Sequence, residues 1–332
     1  DVTLVDCVIQ GNIRNYGTGE VRFEAPQITP ESTVTKPSEV YKPGATLDRT
    51  LEYNGKTVPI YRDRPLNVFS DVDFIWTGEE NENQRRLEYL GGEFRTRYGI
   101  DVSSFQGEID WDAVADDDID FAMVRVGFRG TGTGSLNTDK YYEQNIRGAM
   151  RAGLETGVYF FAQAVTVEEA IEEADYVISL LDGLEIDGPI AYDWEMHDST
   201  YRVYGTTPEM ATACAVAFCE RIKEAGYTPM VYGGTYVSYM KYDQGALSDY
   251  LSWYPEYKSE KSEKLCPTLV YHMDYWQFSS SRAVAGINGR GNTLPEYRCQ
   301  GVAAALLERA ISDAKAQGRK GLVLTCKDKL VH

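Results

Sequence analysis

Between Tyr98 and Tyr232 the chain alternates short apolar runs with helix-like stretches, and few folds are compatible with that alternation. Tyr98–Val102, Phe121–Val126, Gly157–Phe161, Pro189–Trp194 and Pro229–Tyr232 are short and rich in β-branched and aromatic residues, as strands covered on both faces are. Between them, Asp110–Ala115, Lys140–Ala152, Val167–Leu181 and Pro208–Ala225 read as helices. Thr166 followed by Glu169 resembles a capping box opening the third of these, and Gly153 and Gly226 stand where a C-terminal cap glycine would. Repeated β–α units with short connections predict a parallel α/β sheet, and a barrel is expected rather than an open sheet. No glycine-rich phosphate loop follows the first strand, which argues against a nucleotide-binding fold. After Tyr232 the helical pattern fades, and strands with short connections are expected.

The 332 residues suffice for one large domain or two ordinary ones. Residues 1–97 are punctuated by Pro26, Pro30, Pro37 and Pro43 and contain short strand-like pieces such as Thr57–Tyr61. They are expected to form an extended linker plus a small β-rich or wrapping element. A formal net charge of −18 argues against a nucleic-acid partner, whose phosphates would be repelled. No stretch approaches the roughly 20 apolar residues that a membrane span needs. The chain opens at Asp1 without a methionine or signal peptide, so it is expected to be a trimmed piece, with an upstream signal or anchor left open. The six cysteines, at 7, 214, 219, 266, 299 and 326, have neither zinc-site spacing nor the look of a disulfide framework. Cys214 and Cys219 are expected to act as small buried apolar residues.

A barrel makes a statement about chemistry, because active sites in such folds lie at the C-terminal ends of the strands. Asp101 follows Tyr98-Gly99-Ile100 in the first strand, and Asp193 and Glu195 end the fourth. In a strand, Asp193 and Glu195 point the same way, with Cα atoms about 6.6 Å apart at about 3.3 Å rise per residue. Two neighbouring carboxyl groups resist joint ionisation, so one of them should be held protonated and serve as an acid. Glycoside hydrolysis needs such a pair. The alternative for an isolated Asp-x-Glu is a strand end carrying two solvated acids.

Tyr98-Gly99-Ile100-Asp101-Val102-Ser103-Ser104-Phe105-Gln106-Gly107, followed by Ile109-Asp110-Trp111, resembles the opening of glycoside hydrolase family 25, the lysozymes that cleave bacterial peptidoglycan. Phe121–Gly127, Gly157–Phe161, Tyr192–Glu195 and Tyr275–Phe278 continue the likeness in order, over residues 98–289. The resemblance implies an irregular TIM-like β/α barrel of five β/α units followed by strands without helices. It also implies hydrolysis of the β-1,4 bond between N-acetylmuramic acid and N-acetylglucosamine, with no cofactor and no metal. By motif position, Glu195 matches the general acid, Asp193 its carboxylate neighbour and Asp101 the acid of the first strand. Asp193 is then open to two roles, nucleophile or anchor of the substrate's 2-acetamido group. The implied partner is bacterial peptidoglycan, met by a monomer outside the cell or at its surface.

Independently of the resemblance, a glycosidic oxygen leaves only when protonated, and the cationic transition state calls for nearby carboxylates. Aromatic rings offer sugars an apolar face, and Tyr159, Phe161, Tyr192, Tyr232, Trp253 and Trp276 fall at or near strand ends; for each, core packing is the competing role. Arg125 either pairs with the carboxylates or satisfies another buried charge. Gln277 is a candidate hydrogen-bond partner of the sugar. His197 is assigned to the solvated loop.

Two features depart from the resemblance. Where the family carries a further acid after the Trp-Gln motif, Asn292 stands at best. From residue 290 the chain also turns basic, and Arg298–Glu308 resembles the phosphate-binding loop and helix of GCN5-related acetyltransferases. A helix over Val302–Gln317 and a strand over Gly321–Thr325 are expected there, as a fragment or fused tail over 290–332 that lacks the other strands of an acetyl-CoA site. Two other functions therefore stand beside hydrolysis: a peptidoglycan-binding module with weak or no turnover, and an acetyl-CoA-binding fusion.

Overall fold

The computed structural model describes residues 35–287, apart from 45, 79–85, 92–95, 260 and 281. It also describes the backbone strands Val2–Val5, Val8–Ile9, Val21–Glu24, Gln27–Ile28 and Val302–Ala305. Five β–α units build the barrel. They are β1 (Arg97–Val102) with α1 (Trp111–Asp116), β2 (Phe121–Arg129) with α2 (Tyr142–Arg151), β3 (Glu155–Ala162) with α3 (Val167–Leu180), β4 (Ile190–Trp194) with α4 (Pro208–Glu224), and β5 (Pro229–Tyr232) with the short α5 (Thr235–Met240). Two further strands, β6 (Leu251–Pro255) and β7 (Tyr275–Ser279), follow without intervening helices. All seven strands pair in parallel from β1 through β7.

Strand alternation sorts the side chains into two apolar sets. Tyr98, Ile100 and Val102 of β1, Val124 of β2, Phe160 of β3, Tyr192 and Trp194 of β4, and Trp276 and Phe278 of β7 join the core outside the sheet. Phe121, Met123, Tyr159, Ala191, Met230, Tyr232, Trp253 and Tyr275 fill the barrel's interior as a separate cluster. That division is the period of two expected of strands covered on both faces. Gly99 shows how tight the interior is, since a Cβ there would lie 1.9 Å from the Phe121 ring. Gly99→Ala is therefore expected to destabilise the fold by about 1–3 kcal/mol or more through overpacking, measurable by urea unfolding.

Local signals set the helix ends. The Thr166 hydroxyl accepts from Glu169 N, as expected, but the Glu169 carboxylate reaches Val165 N at 2.9 Å, one residue outside a standard box. Gly153 and Gly226 take positive φ of 83° and 90°, which closes α2 and α4 without a side-chain clash. Cys214 and Cys219 are fully buried in α4, where the thiols behave as small apolar groups.

The described part of the N-terminal region wraps the barrel. Leu47–Tyr53 and Lys56–Tyr61 form one antiparallel hairpin, Phe74–Thr77 and Arg86–Tyr89 another. Val58, Ile60, Phe74, Leu87 and Tyr89 enter the same outer core as the barrel strands. Arg64, buried, donates to Gln244 Oε1 at 3.1 Å, and Asn67 Nδ2 donates to the carbonyls of Pro267 and Leu269 at 2.9 and 3.0 Å.

One expectation is corrected at the C-terminal end. Val302–Ala305 is not the start of a helix but a strand, β8, antiparallel to both β7 and β1. Strands β7 and β1 would otherwise present unpaired backbone groups, and that demand outweighs the helical preference of an alanine-rich run. Asn292, the loop Arg298–Gly301 and the expected strand Gly321–Thr325 lie outside the described residues.

Candidate active site

The same parity that fills the barrel delivers its charges. Asp101 alternates with the outward Ile100 and Val102, so it points inward and is 3% exposed. Its Oδ2 accepts from Gln277 Nε2 at 2.8 Å. Burial lifts the Asp101 carboxyl to about 6, the Gln277 hydrogen bond opposes that rise, and the charge of Glu195 adds to it. Asp193 points inward between Tyr192 and Trp194, is 7% exposed, and has an Oδ1 that is buried without a hydrogen-bond partner among the described residues. Desolvation first, then the charges of Glu195 and Asp101, push Asp193 well above the usual carboxylate range, while Arg125 works against them. Glu195 sits one residue beyond the end of β4 with a fifth of its side chain exposed. Its carbonyl accepts from Gln163 Nε2 at 2.7 Å, and its Oε2 lies 3.0 Å from His197 Nε2. Two acids are thus buried in the barrel and a third is open to solvent at its mouth, each close enough for its charge to be felt by another.

Arg125 spends its hydrogen bonds elsewhere. It donates through Nε and Nη2 to Asp139 Oδ2 at 2.9 and 2.8 Å, and through Nη2 to Ser104 Oγ at 3.2 Å. The guanidinium also lies 5.0 Å from the Phe105 ring centre and 5.4 Å from that of Phe128. Of its two expected roles the buried pair is the one formed, while its charge still reaches Asp193 through the interior.

Tyr159, Tyr232 and Trp253 face the interior, with Trp253 edge-on to Tyr159 at 5.8 Å and to Tyr232 at 5.0 Å. Phe161, half-buried, pairs in register with Asp193 near the end of β3. Gln277 ties the site together, because its Oε1 accepts from Tyr257 at 3.0 Å and from Tyr232 at 3.4 Å while its amide holds Asp101. Tyr192 and Trp276 do not reach the site. Each has the opposite parity to the acid or amide beside it: Tyr192 packs on Phe218 at 4.8 Å, and Trp276 packs on Phe74 and donates to the Glu256 carbonyl.

Three residues at the site carry a role that the sequence reading did not give them. His197 shares the parity of Asp193 and Glu195 and touches the latter rather than standing free in the loop. Tyr257 shares the parity of Trp253, two residues beyond the end of β6. Asp139 precedes a helix, where an acid reads as a cap, and its partnership with Arg125 is visible only in three dimensions. Among the described residues no group of His, Cys, Asp and Glu is arranged to hold a metal ion, and no helix is long and apolar enough to cross a membrane.

A β/α barrel of seven parallel strands, with the antiparallel β8 between β7 and β1 and its acids at or near the strand ends, is the architecture the structure defines. The family model for glycosyl hydrolases family 25 matches residues 100–287, more than half the chain, and the chain belongs to that family. It is 26% identical over 192 residues to the autolytic lysozyme of Clostridium acetobutylicum, covering 58% of this chain and 53% of that protein. With lysozyme M1 of Streptomyces globisporus it shares 27% identity over 221 residues, 65% of this chain and 72% of the relative. The chain therefore spans about half the length of the first relative and nearly three quarters of the second. The spore cortex lytic enzyme SleM of Clostridium perfringens shares the fold, with a TM-score of 0.52 at 21% identity over 63% of this chain and 67% of that one.

Proposed function

We propose that this chain is a peptidoglycan hydrolase that cuts the β-1,4 bond between N-acetylmuramic acid and N-acetylglucosamine, outside the cell or at its surface. The observation that supports this reading is the placement of the three carboxyl groups, two buried inside the barrel and one at its mouth. Glu195, at the mouth, meets the glycosidic oxygen and protonates it. Asp101 and Asp193 lie beneath, where charge in a water-poor interior acts strongly on a cationic transition state. The unpartnered Asp193 Oδ1 takes the N–H of the 2-acetamido group, orienting that group to attack the anomeric carbon as the bond breaks. A carboxylate nucleophile at Asp193 is the competing route, and a covalent glycosyl-enzyme trapped on Asp193 would select it. Tyr159, Phe161, Tyr232, Trp253 and Tyr257 offer ring faces or hydroxyls to the sugars, and residues 98–289 carry the catalytic groups of a monomer.

The names of the two lysozymes and the lytic enzyme among the relatives support the substrate class. Digestion of purified cell walls tests the reading, followed by turbidity and by mass spectrometry of the released muropeptides. New reducing ends on muramic acid are expected. Binding to insoluble wall without release would instead identify a binding module.

A further inference from the structure

His197 is a charged-or-neutral side chain placed directly against the group that must give up a proton. Its Nε2 lies 3.0 Å from Glu195 Oε2, its side chain is 63% exposed, and Glu195 is mostly covered. Among the described residues the groups facing it are few. Asp198 follows it in the loop, with its carboxylate held by Thr200 N and Oγ1 at 2.7 and 2.6 Å. The ring of Tyr201 stands edge-on to the imidazole at 5.3 Å. The loop's arginine, Arg202, is turned away onto both carboxylate oxygens of Glu169 at 2.8 Å. His197 therefore meets two carboxylates and a phenol ring, and Glu195 is the partner it bonds.

We propose that His197 holds on Nε2 the proton that Glu195 delivers to the glycosidic oxygen, acting as a positioning and proton-holding residue for the acid. The inference rests on the function proposed above. In the free enzyme the pair carries one proton, shared between imidazolium and carboxylate across the 3.0 Å contact. A sugar chain covering the mouth removes water from both groups, and an ion pair that loses its water gains by neutralising itself. The proton then passes from His197 Nε2 to Glu195 Oε2, leaving a neutral imidazole and a carboxylic acid. Glu195 protonates the bridging oxygen as the anomeric C–O bond breaks, and the freed hydroxyl leaves. When water later attacks the anomeric carbon, Glu195 accepts the water's proton and returns it to Nε2, so the pair ends as it began. Its bond to Glu195 and the charges of Glu195 and Asp198 raise His197 above an ordinary histidine, with partial burial opposing. His197 accordingly keeps its proton on Nε2 to higher pH than an isolated imidazole would.

Two variants test this. His197→Gln keeps a hydrogen-bonding side chain but cannot hold the proton. Its alkaline limb in kcat/KM is expected to move down by about one pH unit or more, with activity at pH 7 falling about tenfold, and the shift should appear in kcat rather than in KM. NMR titration of the His197 ring should place its midpoint above about 6.5 in the native protein and lower in Glu195→Gln. If Glu195→Gln is inactive but His197→Gln titrates like the native enzyme, this inference is wrong and the acid assignment stands. If Glu195→Gln still turns over, the acid assignment falls and this inference falls with it.

Discussion

Glu195→Gln is expected to lower wall hydrolysis by at least about a hundredfold and to leave the fold intact. Proton donation by a positioned carboxylic acid typically contributes about 10²–10⁴ in rate, and an amide has no acidic proton to give. The substitution changes one atom in a side chain that is partly solvent-exposed. The glutamine retains a group able to hydrogen-bond His197, and the bond from Gln163 to the backbone carbonyl is untouched. Loss of turnover with unchanged thermal unfolding would thus separate chemistry from structure. The measurement is reducing-end release from purified peptidoglycan alongside a melting curve, and full activity in the variant would refute the role.

The second large effect runs in two directions at once. Asp101→Asn should reduce turnover by about 10²-fold or more, since a charge aimed at the cationic centre is gone, and it should make the protein more stable at neutral pH. Burial places the Asp101 carboxyl at about 6 in the folded protein, against about 3.9 in an unfolded chain. The folded state therefore binds the proton more tightly. Stability from this group is fully present below the unfolded value and is lost as pH rises through about 4 to 6. By pH 7 the ionised carboxylate weighs against folding by on the order of 3 kcal/mol. Asparagine removes that penalty, and its carbonyl can still accept from Gln277, now 2.8 Å from Oδ2. A higher melting temperature for Asp101→Asn at pH 7.5, with the difference shrinking towards pH 4, is the expected pair of observations. Equal melting temperatures across that range would show that the buried acid is not the strained group described. Asp193, raised in the same direction by burial and by its two acidic neighbours, should behave alike.

Much of the barrel was legible because its strands and helices carry local signals. The apolar runs, the glycines after α2 and α4 and the threonine before α3 each state an element's type or end within a few residues of sequence. Asp101, Asp193 and Glu195 followed from strand-end position, and their common direction followed from parity. Parity applied consistently would also have removed Tyr192 and Trp276, which alternate with Asp193 and Gln277, and would have brought in His197 and Tyr257. Other features had no local signal. Asp139 finds Arg125 across a turn, and β8 forms only because two strands far from it in sequence leave backbone groups open. The first N-terminal hairpin lay between these cases. Asn54-Gly55 at its tip, with φ of 50° and 71°, is a strong turn signature between two strands, yet only the second strand reads as one from composition.

The wrapping hairpins lie outside the family match but inside the packed core. The family model begins at residue 100, but the outer face of that barrel is completed by Val58, Ile60, Phe74, Leu87 and Tyr89, all upstream. Each such side chain contributes roughly 1.5–3 kcal/mol when taken out of water, so a protein expressed from residue 98 alone would show a greasy flank in place of a finished surface. Such a piece is expected to aggregate or to melt well below one beginning at residue 35, as parallel light-scattering and calorimetry would reveal. Recombination that shuffles this catalytic module between proteins would then have to carry the upstream sixty-odd residues along, or supply a substitute cover for the same flank.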